Sequence, residues 1–170
     1  YPLAVRSAME EKLDAALTRH DISALWQQAE IKKILDEPLV INHIFVVLAT
    51  SVAEVGRDHD YDWAIAEPSS VRSLIQLAGR IQRHRQQPPL SDNLLILSQN
   101  YKALKASVDR YGKLKPAYSH PGFERDDLRL DSHDLKKIFP AEHFQEISAL
   151  PRITQPKLMQ SKIHADFLTL

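Results

Sequence analysis

His43-Ile44-Phe45-Val46-Val47-Leu48-Ala49 is apolar and rich in β-branched residues, without alternation. A strand apolar on both faces fits a buried parallel sheet, where helices cover each side. Upstream, Val5, Met9, Leu13, Ala16 and Leu17 recur at helical spacing with polar residues between them, which predicts a helix. Asp21 and Ser23 are cap-type residues, so a second helix is expected from Ala24 to about Leu35, with Pro38 just beyond it as a stop. Downstream of the strand, a polar loop runs from Thr50 to Tyr61, followed by the short apolar run Trp63-Ala64-Ile65-Ala66. Pro68-Ser69-Ser70 is a good helix entry, and the next helix is expected from about Ser70 to His84. Pro88 and Pro89 bar its continuation, and Leu94-Leu95-Ile96-Leu97 reads as another buried strand. Helix, helix, strand, strand, helix, strand is an α/β order with a mostly parallel sheet.

After about Gln99 the character shifts: proline and charge rise in Lys115-Pro116, His120-Pro121-Gly122 and Glu124-Arg125-Asp126-Asp127. Short helices are expected near Asn100–Asp109 and Asp134–Leu150, with no periodic segment long enough to form its own core. The expected division is therefore 1–99 and a helical or irregular linker and docking region at 100–170.

At 170 residues with 44% hydrophobic and 26% charged, the chain can bury a core. Lys plus Arg equals Asp plus Glu at 22 each, which argues against coating nucleic acid by bulk charge alone. Cysteine is absent, excluding disulfides and thiolate zinc sites. No apolar run approaches the roughly 20 residues that span a bilayer. The chain opens on Tyr1 rather than Met, which suggests a piece of a longer protein.

Chemistry concentrates between Ala49 and Arg85. On the expected helix, Gln76, Arg80 and Arg83 fall at i, i+4 and i+7 and share a face. Val71, Leu74, Ile75 and Ala78 form the apolar face, and Gly79 leaves room for a ligand or second domain to approach. Two converging guanidiniums repel unless an anion lies between them, and Arg suits bidentate phosphate recognition. A solvated helix face with two surface arginines is the bland alternative. Thr50 sits at the carboxyl end of a buried strand, where ligands bind in open α/β sheets. Gly56 can present a backbone N–H, and Asp58 can accept from a ribose hydroxyl or orient an arginine.

Ala49-Thr50-Ser51-Val52-Ala53-Glu54-Val55-Gly56-Arg57-Asp58-His59-Asp60-Tyr61-Asp62 resembles helicase motif V, and Gln76-Leu77-Ala78-Gly79-Arg80-Ile81-Gln82-Arg83-His84 resembles motif VI. Tyr1 to Leu13, with Arg6 and Glu10, resembles the tail of motif IV. Together they are similar to superfamily-2 helicases, and their finer wording to the CRISPR-associated helicase–nucleases of type I systems, the I-F branch above all. The resemblance covers roughly residues 1–98. It implies an incomplete RecA-like lobe of the P-loop NTPase type, the second of two. In that family Arg80 and Arg83 would be arginine fingers on the ATP γ-phosphate, with Gln76 positioning them or the attacking water. Gly56, Asp58 and Gly79 would line the nucleotide cleft. Thr50 would bond a phosphate of the translocated strand, and Glu54 would couple that contact to the nucleotide.

The implied cofactor is ATP with Mg2+. The implied partners are single-stranded DNA, an RNA-guided surveillance complex and phage-encoded inhibitor proteins, with no membrane and a cytoplasmic location. The chain carries no phosphate loop and no HD-type nuclease domain, so alone it is expected neither to hydrolyse ATP nor to cut DNA, and to be poorly soluble. His59-Asp60 and the eight histidines show no metal-ligand spacing, and no metal site is expected. His84 and Arg85 are left facing either solvent or nucleic acid. Two alternatives stand beside this expectation: a restriction-type superfamily-2 translocase, and a non-catalytic module on a RecA-like scaffold.

Overall fold

The computed structural model describes residues 2–37, 39, 41–50, 58–85, 87–105, 107–120 and 122–150. The backbone forms two compact units, one of residues 1–63 and 79–93, the other of residues 64–78 and 94–170.

The first unit opens with α1 (Leu3–Leu17), α2 (Ile22–Trp26) and α3 (Ala29–Leu35). Asp21 caps α2, accepting from the Ser23 N–H at 2.9 Å, as the cap residues foretold. The single helix expected over 24–35 is instead broken at Gln27 and Gln28. Gln28 adopts extended backbone, and its side-chain amide donates to the Ala15 carbonyl at 2.5 Å. A tertiary bond to α1 thus interrupts the helix. Of the apolar stripe on α1, Ala16 and Leu17 are buried whereas Val5 and Met9 are exposed. Among the described residues, α1 packs at its C-terminal end: the Asp60 N–H donates to the Leu17 carbonyl at 2.8 Å.

The buried strand expected at 43–49 does not form. Ile44, Phe45, Val46 and Leu48 are 76%, 62%, 78% and 99% exposed, and no strand pairs with them among the described residues. A parallel strand is held by ladder bonds from its neighbours, and composition alone cannot supply them.

In the second unit, β1 (Ala64–Ala66) and β2 (Leu94–Ile96) pair in parallel, Ala64 opposite Leu94 and Ala66 opposite Ile96. Helix α4 (Val71–Ala78) connects the two, a β-α-β crossover. Ser70 starts it, its Oγ accepting from the Ser73 N–H at 3.1 Å, and Ser73 and Leu74 are buried. The element order is thus mixed helix and strand with a small parallel sheet, as the α/β pattern predicted. However, α4 stops at Ala78 rather than continuing to 84. Gly79 follows, and Tyr61 takes over the backbone partners beyond it: its N–H donates to Arg80 O at 2.9 Å, and its carbonyl accepts from Gln82 N at 2.8 Å.

Residues 100–150 hold α5 (Tyr101–Leu104), α6 (Leu135–Ile138) and a 3-10 turn at Ala141–Phe144. They do possess an interior: Ala117, Tyr118, Glu124, His133 and Leu135 are all under 7% exposed. Its centre is a carboxylate. Glu124 accepts from the N–H groups of Ala117 and Tyr118 at 2.8 Å, from Leu130 N at 2.9 Å, and lies 3.0 Å from His133 Nε2. Burial alone would raise its pKa; these donors overcome that and hold it below the ordinary value. The Tyr118 hydroxyl donates to the His133 carbonyl, and burial beside Glu124 and Asp134 pushes its pKa up to about 12. Periodicity could not foretell an interior built by loops around an acid.

Candidate functional site

The tails of the two helicase-like motifs meet in the first unit. A parallel bridge joins Tyr61 to Ile81, so residues 58–62 and 80–85 run alongside each other. Asp58, Asp60 and Asp62 alternate along one segment, and Arg83 and Arg85 along the other. The Arg83 Nε lies 2.8 Å from Asp58 Oδ1, with the two side chains 44% and 50% exposed. Arg83 also reaches the Gly79 carbonyl at 3.4 Å.

Two imidazoles flank the same acid. His20 Nε2 lies 3.1 Å from Asp58 Oδ2, and His84 Nε2 3.1 Å from Oδ1, bent off the line of a hydrogen bond. The His20 and His84 rings stack with centroids 3.7 Å apart. Together with Arg83, these imidazoles hold the Asp58 carboxyl far below the usual carboxylate range, His84 having the largest effect. One carboxylate faces a guanidinium and two imidazoles.

The donor set His20, Asp58 and His84, with ligand atoms all within 4.8 Å, has the composition of a metal site. Its hydrogen bonding argues otherwise. His84 Nδ1 accepts the Arg19 N–H at 3.1 Å, which leaves the proton of the neutral ring on Nε2, the atom facing Asp58.

Arg80 is half-buried, and its Nε has no hydrogen-bond partner among the described residues. Thr50 is exposed at the end of the extended segment. Glu54 and Gly56 lie outside the described residues. Gly79 is exposed directly after α4. Gln76 is half-buried on α4, in the other unit from Arg80 and Arg83. Because α4 ends at Ala78, the single helical face expected to carry Gln76, Arg80 and Arg83 is not formed; Arg80 and Arg83 stand on the irregular segment beyond it. The anion found beside Arg83 is a carboxylate of the same chain.

Residues 1–86 match the family model described as CRISPR-associated nuclease/helicase Cas3, C-terminal. The chain belongs to this family. It is 54% identical over 159 residues to the CRISPR-associated nuclease/helicase Cas3 subtype I-F/YPEST of Pectobacterium atrosepticum. It is 49% identical over 158 residues to the protein of the same name from Pseudomonas aeruginosa. Each match covers 92% of this chain and 14% of the relative. The chain therefore spans about a seventh of these Cas3 proteins' length. No helix among the described residues is long and apolar enough to cross a membrane.

Sequence reasoning assigned no role to Arg19 or Asp62 of this site, weighed His20 and Asp60 only as metal ligands, and left Arg85 facing solvent or nucleic acid, whereas Arg85 faces carboxylates of the same chain. Arg85 makes the densest contacts of all. Its Nη2 lies 2.8 Å from Asp60 Oδ1 and donates to the Tyr61 carbonyl at 3.0 Å, its Nε donates to Asp60 Oδ2 at 3.1 Å, and its Nη1 pairs with Asp62. Arg19 binds Asp62 with both carboxylate oxygens, at 2.9 and 3.0 Å. One signal was available: acids at every second position of 58–62 opposite arginines two apart is a strand-like charge pattern.

Proposed function

We propose that this chain is the part of an ATP-driven, CRISPR-associated DNA helicase–nuclease that answers to the nucleotide's γ-phosphate. The supporting observation is Arg83, a half-exposed guanidinium whose ion-pair partner is the likewise half-exposed Asp58 of motif V. A surface pair of this kind is held by little free energy. A phosphate carries more charge and offers bidentate geometry, so it competes for the guanidinium on favourable terms. Arg83 and Arg80 act as fingers stabilising the transferred phosphoryl group. Gln76 positions the fingers or the attacking water. Asp58, Gly56 and Gly79 line the nucleotide cleft. Thr50 and Glu54 touch and sense the DNA strand.

The two fingers, Arg80 and Arg83, are cationic, which fits phosphate oxygens, and Asp58 is already paired with Arg83; the ions accompanying ATP and the nuclease are held elsewhere in the whole protein. The exposed run Ile44–Leu48 is covered by further strands of a RecA-like sheet in the whole protein, and 100–170 serves as linker and docking region. The partners are single-stranded DNA, an RNA-guided surveillance complex and phage-encoded inhibitors, in the cytoplasm.

The test is Arg83→Ala in the full-length protein. DNA-stimulated ATP turnover should fall roughly 10³-fold or more while nucleotide binding survives. Near-normal turnover refutes the finger assignment.

A further inference from the structure

We propose that Arg85 is a positioning residue: its guanidinium clamps the segment 80–85 onto 60–62 and so aims Arg83 at the nucleotide. This rests on the assignment of Arg83 as a finger.

The argument begins at Gln82, whose φ is +50°, the left-handed region that a side chain bearing a Cβ rarely adopts. Such a residue persists only where its surroundings over-determine it. Here they do, from both sides. Before it, the Tyr61 N–H holds the Arg80 carbonyl at 2.9 Å, and the Gln82 N–H itself donates to the Tyr61 carbonyl at 2.8 Å. After it, Arg85 reaches the same Tyr61 carbonyl at 3.0 Å and takes both oxygens of Asp60. Arg83 lies between the bend and the clamp, so the direction of its side chain is set by both.

The anchor is firm. Asp60 is 0% exposed, and its own N–H donates to Leu17 at the end of α1. Asp62 extends the clamp to Arg19, whose N–H in turn fixes the ring of His84. A buried carboxylate with a bidentate guanidinium is a directional contact that lysine does not reproduce. Breaking it leaves Asp60 as a buried charge without its cation and releases the strained turn next to Arg83.

The experiment uses the full-length protein with saturating single-stranded DNA, comparing Arg85→Ala, Arg85→Lys and Asp62→Asn. Arg85→Ala should lower kcat for ATP at least 30-fold with KM changed less than threefold, because ground-state binding survives and aim is lost. Arg85→Lys should recover only part of the loss. The deciding readout is a double-mutant cycle: in an Arg83→Lys background, assayed at enzyme concentrations raised until its turnover is measurable, the Arg85→Ala effect should shrink at least fivefold, since its target is gone. An undiminished effect there, or full turnover in Arg85→Ala alone, overturns the proposal. If Arg85→Ala fails to give a cooperative melting transition, Asp62→Asn decides: a three- to tenfold loss of kcat is expected at unchanged melting temperature, and full turnover overturns the clamp. Full turnover in Arg83→Ala sinks the finger assignment and this proposal together. A dead Arg83→Ala beside an intact Arg85→Ala sinks this proposal alone.

Discussion

Replacing Glu124 by glutamine removes one charge and no volume, and the structure lets the outcome be worked atom by atom. Oε2 accepts two backbone N–H groups, from Ala117 and Tyr118; Oε1 accepts the Leu130 N–H and faces His133 Nε2. A glutamine keeps one acceptor oxygen and turns the other into a donor. The cheaper orientation puts its amide nitrogen toward His133, because that ring can answer by moving its proton to Nδ1, a buried atom with no partner among the described residues. The net loss is then one buried backbone bond, to Leu130, plus the charge assistance on the rest. An unsatisfied buried amide costs about 1–3 kcal/mol, so Glu124→Gln should destabilise the second unit by about 2 kcal/mol. Glu124→Ala orphans three N–H groups and should cost roughly 3–6 kcal/mol. The assay is amide hydrogen exchange in the full-length protein. About 2 kcal/mol corresponds to exchange roughly 30-fold faster at 117, 118 and 130 in Glu124→Gln. If glutamine leaves those amides unchanged, or equals alanine in effect, the claim that this carboxylate organises the loop interior is wrong.

Three further outcomes follow from the same contacts. The Glu124 carboxyl titrates below its ordinary 4.5 in the folded chain, so its contribution is complete above that pH and drains away as pH falls below it; stability of the second unit should drop from about pH 4.5 downward, and more shallowly in Glu124→Gln. Gly122→Ala should unfold or rearrange the turn at 118–124, because a Cβ there would stand 1.9 Å from the Tyr118 carbonyl oxygen; wild-type exchange protection at Tyr118 in that variant would contradict the geometry. Gln82→Gly should leave the unfolding free energy equal or slightly higher, since glycine adopts φ +50° without strain; a fall of more than about 1 kcal/mol in denaturant unfolding would show that the left-handed turn is not under tension.

Local chemistry already written along the chain announced much of this molecule. The caps at Asp21 and Ser70 and the helix from residue 71 depend on neighbours within a few positions, and the short apolar runs that became β1 and β2 stood out by composition, though their pairing joins residues 30 positions apart. The motif wording between Ala49 and Arg85 named the family that the comparisons then supplied. Tertiary structure alone decided the rest. It ended α4 at Ala78 because Tyr61 offered the backbone other partners, and it broke the helix at Gln28 because Ala15 offered its carbonyl. It left Ile44–Leu48 without a ladder. It paired Asp58, Asp60 and Asp62 with Arg83, Arg85, Arg19 and His20, partners 23 to 43 positions apart in the sequence. Spacing along a helix or strand reports which side chains share a face of one element. Which charge meets which across elements depends on where folding brings the chain back on itself, and burial then decides whether the meeting holds.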